Sequence, residues 1–339
     1  MKTILITGGA GYIGSHTAVE LVAAGYQVVV VDNLSNADTT CLKGAEKITG
    51  RSLPFYEIDC CCKEDLQTVF KKHPIDGVIH FAAFKAVGES VEKPLMYYKN
   101  NLTSFLTVLE VLLENGGGNI VFSSSATVYG QPDILPATED TPRGVATNPY
   151  GNTKQICEDI LTDAVKAHPT LQGIILRYFN PIGAHPSALM GELPRGVPNN
   201  LVPFITQTAA GVRDVLQIFG SDYNTPDGTA LRDYIDVNDL ARAHVSALQK
   251  MYTKNDPGSC EIYNVGTGQP LSVLELVQKF CAVNNIKVKY KMAGRRQGDV
   301  EAVWANTSLA NKHLQWKAEV PVEETLARAW AWEKKIRDL

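Results

Sequence analysis

The sequence predicts an α/β fold built on a doubly wound parallel sheet, with a smaller, mixed α/β domain towards the C-terminus. The first observation is that short apolar runs alternate with amphipathic helical stretches through the first half of the chain. The second is that the runs are continuously apolar, which is typical of strands covered by helices on both faces. Strand–helix alternation at this spacing indicates a parallel sheet. The predicted strands are Thr3–Thr7, Gln27–Asp32, Leu53–Asp59, Gly77–Phe81, Asn119–Ser123 and Gly173–Tyr178.

Helical patterns lie between these runs. One covers Tyr12–Ala24 and is closed by Gly25, the residue type that most often ends a helix. Another covers Tyr98–Asn115 and is followed by three glycines. Further along, Ser272 and Glu275 have the spacing of a capping box, so a helix should begin there.

The domain organisation follows from a break in the pattern after Asn180. Residues 181–203 hold five prolines and several glycines. A long irregular segment in a compact chain is usually functional. We expect a larger domain formed by residues 1–180 and 234–262, which contains the predicted parallel sheet, and a smaller domain formed by residues 181–233 and 263–339.

The composition narrows the classes of partner. Apolar residues make up 45% and charged residues 20% of the 339 residues, and the net charge is −4. This balance offers no broad basic surface to nucleic acid or to an anionic membrane. No stretch approaches the roughly 18 apolar residues of a transmembrane helix, and the N-terminal apolar run is too short for a signal peptide. We therefore expect no nucleic-acid and no membrane partner.

The cysteines indicate a reducing compartment. The chain has seven, irregularly spaced, and three are consecutive at Cys60–Cys62. Free thiols in the cytoplasm are the simplest interpretation. No second cysteine or histidine pair has ligand spacing, so we expect no metal site.

A glycine motif follows the first predicted strand. Gly8, Gly11 and Gly14 have the spacing G-x-x-G-x-x-G, where a tight turn leads into a helix whose N-terminus can bind a pyrophosphate. Asp32 ends the second predicted strand, 18 residues beyond Gly14. A carboxylate there accepts hydrogen bonds from ribose hydroxyls and repels a 2′-phosphate. The sequence therefore predicts a Rossmann-like dinucleotide site that prefers NAD to NADP. The larger domain is then the NAD-binding domain, and the smaller one is expected to bind the substrate.

A proton-transfer set is expected at the same edge of the sheet. Tyr150 and Lys154 form Y-x-x-x-K, which places both side chains on one face of a helix. Ser125 ends a serine run at the end of the fifth predicted strand, where carboxyl ends face the ligand crevice. We expect Lys154, together with the nicotinamide charge, to lower the pKa of Tyr150 towards neutrality so that it can take a proton.

Longer motifs resemble the extended short-chain dehydrogenase/reductase family, and within it the UDP-sugar 4-epimerases. The resemblance covers nearly the whole chain. Its motifs are FAAFKAVGES (Phe81–Ser90), SSSATVYG (Ser123–Gly130), RYFNPIGAHPS (Arg177–Ser187), PNNL (Pro198–Leu201), RDYI (Arg232–Ile235) and RRQGD (Arg295–Asp299).

The resemblance implies three groups of site residues. Ser125, Tyr150 and Lys154 would be catalytic. NAD would be bound by Gly8, Gly11, Tyr12, Ile13, Gly14, Asp32, Asn33, Asp59, Phe81, Ala82, Lys85, Asn100, Ser123, Tyr150, Lys154 and Tyr178. The UDP-sugar would be bound by Ser125, Tyr150, Asn180, Asn199, Asn200, Leu201, Phe219, Arg232, Arg296, Asp299 and Val303.

The resemblance also implies an activity. Tyr150 would take the proton of the sugar 4-hydroxyl while NAD takes the hydride from carbon 4, and the 4-keto sugar would turn over while its UDP stays anchored. UDP-galactose and UDP-glucose would thus be interconverted. A homodimer is implied as well, through the helices Tyr98–Asn115 and Tyr150–Ala167.

Four further features need separate comment. Val303 precedes the aromatic residue of a W-A-N motif, beside the sugar 2-position, and its small side chain predicts that N-acetylated UDP-sugars are also accepted. The Cys60–Cys62 run replaces the usual residues after Asp59, and Asp236 stands where histidine is common. His80, inside an apolar strand, is interpreted as a core residue.

Two kinds of alternative stay open at this point. A dehydratase of the same family needs an acid pair after the fifth strand, where this chain has Ala126 and Thr127. A decarboxylase acting on a UDP-glucuronate would need a donor for the sugar carboxylate, and none can be identified. A non-catalytic NAD sensor needs the glycine motif but not Ser125, Tyr150 and Lys154 together.

Overall fold

A computed structural model describes residues 1–296 and 298–339. A 3-10 turn covers Ala126–Tyr129. The strands are β1 (Thr3–Thr7), β2 (Gln27–Asp32), β3 (Phe55–Glu57), β4 (Ile75–His80), β5 (Gly118–Ser125), β6 (Leu171–Tyr178), β7 (Asn180–Ile182), β8 (Leu216–Phe219), β9 (Leu231–Asp236), β10 (Cys260–Val265), β11 (Pro270–Ser272), β12 (Tyr290–Ala293) and β13 (Ala302–Val303). The helices are α1 (Tyr12–Ala23), α2 (Thr40–Thr49), α3 (Lys63–Lys72), α4 (Val87–Glu92), α5 (Pro94–Glu114), α6 (Pro149–Ala167), α7 (Leu201–Ala209), α8 (Val237–Lys254), α9 (Val273–Asn284), α10 (Ser308–His313) and α11 (Val322–Ile336).

The large sheet confirms the predicted fold class. Its order is β10-β6-β5-β4-β1-β2-β3, and every neighbouring pair is parallel. β1 and β2 have the predicted bounds, whereas β3 is shorter, at three residues. β10 was not among the predicted strands; it forms by pairing with β6 along its full length. Chain order reverses between β1 and β4, where ligands bind in such sheets.

Helices cover both faces of this sheet. Ile4 and Ile6 of β1 belong to a core shared with α1 and α8, while Leu5 points the other way into a core shared with α3, α5 and α6. This alternation is the period of two of a strand. Because both faces are buried, the continuous apolar runs in the sequence are explained.

A smaller sheet forms in the second half of the chain. Its order is β11-β9-β13, with β7 paired to β9, and β8 pairs separately with β12. Ile205, Phe280 and Leu326 belong to its core, which joins α7, α9 and α11. The predicted capping box is confirmed at the start of α9, where Ser272 accepts from Glu275 N and Glu275 accepts from Ser272 N.

The chain returns to the large sheet slightly later than the expected residues 234–262. β9 lies in the smaller sheet, so the return begins with α8 and ends with β10 at Val265. α10 and the following Trp316 also pack on the large sheet's core, with Trp316 Nε1 donating to Asp239 O at 2.9 Å. Residues 263–339 are therefore shared between the two sheets.

Asp236 joins elements around this return. It is the N-cap of α8, where its Oδ1 accepts from Asn238 N at 2.8 Å. Its Oδ2 accepts from Thr325 Oγ1 of α11 at 2.8 Å, and Arg328 lies 3.6 Å away. The carboxylate therefore caps one helix and ties it to another. Separately, no helix in the described ranges is long and apolar enough to cross a membrane.

Candidate active site

The glycine loop between β1 and α1 forms one end of a cleft. Gly8 has φ +69°, and a Cβ there would lie 2.8 Å from Ala82 N. A Cβ on Gly14 would lie 2.5 Å from Gly8 O, so the helix and loop can approach only without side chains. The N-cap of α1 is Gly11, so no N-cap side chain accepts a hydrogen bond from the first amides of the helix. Its first amides therefore face the cleft and suit a pyrophosphate.

Asp32 lies beside this loop at the end of β2. It is 8% exposed and accepts from Ala10 N at 3.1 Å and Leu34 N at 2.9 Å. Burial raises its pKa, and these hydrogen bonds oppose the rise. Asn33 Nδ2 donates to Asp59 Oδ2 at 3.3 Å, so the ends of β2 and β3 meet here. The geometry fits the ribose and adenine of a dinucleotide.

A single cleft of about 830 Å³ joins this loop to the smaller sheet. Among the predicted site residues, all except Val303 line it. They are Gly8, Gly11, Tyr12, Ile13, Gly14, Asp32, Asn33, Asp59, Phe81, Ala82, Lys85, Asn100, Ser123, Ser125, Tyr150, Lys154, Tyr178, Asn180, Asn199, Asn200, Leu201, Phe219, Arg232, Arg296 and Asp299.

The proton-transfer set lies midway along the cleft. α6 begins at Pro149 because Asn148 caps it, accepting from Gly151 N at 2.8 Å. One turn separates Tyr150 from Lys154, whose Nζ is 5.9 Å from the tyrosine ring centre. Lys154 Nζ also donates to Ser123 O of β5 at 2.6 Å. The strand end thus fixes the lysine that faces the tyrosine.

Burial favours the neutral form of both titrating groups. It raises the pKa of Tyr150 to about 12, against an opposing interaction with the Ser125 hydroxyl. It lowers the pKa of Lys154 to about 8, against the attraction of Cys157 and Glu158. From the sequence, Lys154 and the nicotinamide charge together are expected to lower the pKa of Tyr150 towards neutrality. The protein by itself does not produce that shift, because burial raises the pKa of Tyr150 by more than the Ser125 hydroxyl lowers it.

Charged side chains from β9 and from the segment between β12 and β13 line the far end of the cleft. Arg296 donates to both oxygens of Asp299, at 3.2 and 2.7 Å, and its guanidinium lies 5.9 Å from the centre of the Phe219 ring. Arg232, on β9, lies 3.9 Å from the same carboxylate and donates to Leu231 O and Val300 O. Two forked donors beside an aromatic ring suit a nucleoside diphosphate. Gln297, in the predicted RRQGD motif, lies outside the described residues.

Val303 is the one predicted substrate contact that does not line the cleft, and its role stays a prediction. It is 7% exposed and belongs to a buried cluster with Val128, Tyr129 and Phe179. Of these, Phe179 lines the cleft. The other members of this cluster cover the Val303 side chain, and Phe179 connects the cluster to the cleft wall.

Cys60, Cys61 and His80 are held in their neutral forms by burial. Cys60 lines the cleft and is buried, and burial raises its pKa and that of Cys61, the latter to about 12. His80 Nδ1 lies 2.8 Å from Thr7 Oγ1, and burial lowers the pKa of His80 to about 3, as expected of a core histidine. In residues 1–296 and 298–339, no group of three or more His, Cys, Asp or Glu side chains could hold a metal.

Sequence reasoning missed Glu192 and Phe179 on the cleft wall. Glu192 accepts from Lys85 Nζ at 3.4 Å and from Asn200 Nδ2 at 2.5 Å, which links the two sides of the cleft. It lies in the irregular proline-rich segment, where no periodicity marks single residues. Phe179 follows β6 inside the motif RYFNPIGAHPS, whose resemblance implies a role for Tyr178 and Asn180 but not for Phe179.

A glycine-loop nucleotide cleft with serine, tyrosine and lysine at its centre defines a dinucleotide-dependent enzyme on a Rossmann-like sheet. Residues 4–266 match the model of the NAD dependent epimerase/dehydratase family, and the chain belongs to this family.

Its relatives narrow the class. The chain is 51% identical over 331 residues to the UDP-glucose 4-epimerase of Haemophilus influenzae, covering 98% of this chain and 97% of that protein. It is 49% identical over 338 residues to UDP-glucose 4-epimerase 1 of Oryza sativa subsp. japonica, covering 99% and 95%. A crystal structure of the Bifidobacterium longum UDP-glucose 4-epimerase, in complex with NAD⁺ and UDP, superposes with a TM-score of 0.96 at 45% identity over 99% of both chains.

Proposed function

We propose that this chain is an isomerase that interconverts UDP-galactose and UDP-glucose at carbon 4, with NAD tightly bound. The observation that carries the proposal is the single cleft with Tyr150 and Lys154 midway between the glycine loop and the arginines of the smaller sheet. The likeness to UDP-glucose 4-epimerases over nearly the whole chain supports it.

NAD would be held by the glycine loop, Asp32 and the other cleft residues assigned to it above. The chemistry that NAD supplies when bound is reversible acceptance of a hydride. The protein orients the reacting ends and excludes water, and the buried positions of Ser123, Lys154 and Tyr178 suit this role. Lys154 donates to the Ser123 carbonyl, and the Ser123 and Tyr178 hydroxyls are hydrogen-bonded to each other.

Tyr150 would take the proton of the sugar 4-hydroxyl and give it back after the ring has turned. Because burial alone raises its pKa to about 12, the phenolate needs a positive charge additional to Lys154. The nicotinamide ring of the oxidised cofactor carries such a charge. Ser125 would share the same sugar oxygen. The base would thus be strongest when the oxidised cofactor is present.

Arg232, Arg296 and Asn200 would anchor the diphosphate while the 4-keto sugar rotates. Their positions at one end of the cleft leave the sugar end free to present either face. No net redox change results, since the proton and the hydride both return to the sugar.

The dehydratase alternative is not supported. The 3-10 turn after β5 presents Ala126 and Thr127, and neither side chain can act as an acid at neutral pH. The non-catalytic alternative does not account for Lys154, which is 4% exposed and aligned with Tyr150 by a buried hydrogen bond.

Three finer proposals concern the setting of the enzyme. We infer a homodimer through the outer faces of α5 and α6, which pack side by side; Leu95 and Leu106 of α5 are exposed, at 81% and 43%. Light scattering of the purified protein tests it.

We infer a cytoplasmic location, which suits seven free cysteines. We also propose an NAD-binding domain of residues 1–180 and 237–265, with the UDP-sugar domain formed by the rest.

The test is to incubate the purified protein with UDP-galactose, without added cofactor, and to separate the products. UDP-glucose should form, and NAD should be recovered from the denatured protein. A dehydrated or decarboxylated product would replace the proposal by one of the alternatives. No product from a protein that contains NAD would contradict the activity.

A further inference from the structure

Arg195 connects the two sides of the cleft at its adenosine end. It lies in the irregular segment between β7 and α7, on the substrate side. Its guanidinium donates to Ser35 O at 3.4 Å and to Ala37 O. Both carbonyls belong to the loop after β2, which begins at Asp32 and lines the cleft. A substrate-side cation is therefore bound to the loop expected to hold the adenosine ribose.

The charge of Arg195 reaches the ribose site itself. Burial raises the pKa of Asp32, and Arg195 is among the groups that oppose the rise. Burial would raise the pKa of Asp38, but the hydrogen bonds from Thr40 and the charge of Arg195 lower it. The hydrogen bonds from Thr40 are the larger of these two effects, and the net result is a lowered pKa. The guanidinium is thus close to the carboxylates at both ends of the loop.

The segment that carries Arg195 is held at several points. We call residues 191–200 the strap. At one end, Cys41 Sγ of α2 donates to Gly191 O at 3.3 Å. In the middle, Arg213 donates to Gly196 O at 3.1 Å. Lys85 and Asn200 both contact Glu192. The strap is therefore positioned over the loop by contacts that do not involve Arg195.

Leu193, Pro194, Val197 and Pro198 of the strap line the cleft beside Asp38 and Cys41. A ligand in the adenosine end lies beneath the strap. For it to leave on that side, the strap must separate from the loop, and this separation breaks the hydrogen bonds of Arg195 to Ser35 O and Ala37 O.

We propose that Arg195 is a cofactor-retaining residue: it fastens the strap across the adenosine end of the NAD site and slows the release of NAD. The inference rests on the proposed function, which places NAD in this cleft. Two physical effects act together. The forked, charge-assisted hydrogen bonds hold the strap closed, and the positive charge lies near a ligand that carries a negatively charged pyrophosphate.

The experiment measures NAD release from the purified holoprotein. Alcohol dehydrogenase with excess ethanol converts each released NAD to NADH, whose absorbance gives the rate. Arg195→Gln keeps a polar side chain of similar length but removes the charge and the fork. Release should become about tenfold faster, the size expected for exposed charge-assisted hydrogen bonds. Arg195→Lys keeps the charge but not the forked hydrogen bonds, so its rate of NAD release should lie between those of the wild type and Arg195→Gln.

Arg51→Gln is the matched control, since Arg51 is exposed and lies on the NAD-binding side, after α2. It should release NAD at the wild-type rate. If Arg195→Gln also releases NAD at the wild-type rate, the retaining role is wrong while the NAD site stands. If the wild-type protein contains no NAD and binds none when it is added, the cofactor site fails, and the role of Arg195 fails with it.

Discussion

Tyr150 is the side chain on which turnover should depend most. Its hydroxyl would be the base, and the rest of the ring only fills space, so Tyr150→Phe should keep the fold and the bound nucleotides. The loss of a general base typically lowers the rate about 10²–10⁴-fold. Turnover of UDP-galactose and binding of UDP, measured on the same preparation, separate these two effects. Tyr290→Phe, at an exposed position of β12, is a control that should change neither value by much. A variant that binds UDP and turns over like the wild type would contradict the role of Tyr150.

Lys154 should make the stability of the NAD-free protein depend on pH. Its pKa is about 8 in the folded state, below the ordinary 10.5. Between these values the unfolded chain binds more protons than the folded one, so stability rises with pH. From pH 7 to 9.5 this group should add about 2 kcal/mol to the free energy of unfolding. Lys154→Met should lose this increment in urea unfolding at the two pH values. Equal slopes for wild type and variant would contradict the burial of a titrating lysine.

Val303 tests how the sugar pocket is built. The small side chain predicts activity on UDP-N-acetylgalactosamine and UDP-N-acetylglucosamine. Since Val303 and Phe179 belong to one buried cluster and Phe179 lines the cleft, the effect of Val303 on the pocket should be transmitted by that ring. Val303→Tyr adds volume to the buried cluster and should push Phe179 into the cleft, which lowers activity on the acetylated pair more than on UDP-galactose. If the wild type has no activity on the acetylated pair, or if Val303→Tyr leaves that activity unchanged, Val303 does not have this role.

At the scale of elements, a buried ion pair holds the catalytic helix against the sheet. Glu158 of α6 and Arg177 of β6 are 2% and 3% exposed and joined by hydrogen bonds of 2.9 and 2.6 Å. Ser124 Oγ of β5 donates to the same carboxylate at 2.5 Å. Glu158→Ala leaves a buried guanidinium without its partner and should cost about 3–5 kcal/mol of stability.

The control for this pair is Lys166→Ala, which removes an exposed contact with Asp163 on the same helix. Exposed pairs contribute at most about 1 kcal/mol. Urea unfolding of the two variants should therefore differ clearly. A loss for Glu158→Ala no larger than that of Lys166→Ala would show that the buried pair is not what holds α6 in place.

The sequence predicts elements well where burial is continuous and poorly where pairing decides. β1 and β2 are wholly covered by helices, and their apolar runs predict their bounds. β10, which contains Glu261 and Asn264, has a mixed sequence and becomes a strand because β6 lies beside it. Likewise the W-A-N motif locates Val303, but its burial depends on contacts with distant residues such as Val128 and Phe179, which no local pattern predicts.

At the scale of the molecule, the site is predictable because its parts occur in a fixed order along one sheet. The glycine loop follows β1, and Asp32 and Ser125 end β2 and β5, whose carboxyl ends meet at the same edge. Tyr150 lies in the first turn of α6, the next α-helix after β5. Glu192 and Arg195 could not be predicted in this way. They lie in an irregular segment, and only the folding of the chain brings Glu192 to the cleft wall and Arg195 to the loop after β2.

The central claim is that the hydrogen leaving carbon 4 returns to the same carbon within one cleft. UDP-galactose carrying deuterium at carbon 4 tests this most directly. After conversion in ordinary water, mass spectrometry of the UDP-glucose should find the deuterium retained at carbon 4. Deuterium lost to the solvent, or replaced by hydrogen from an added reductant, would contradict the account.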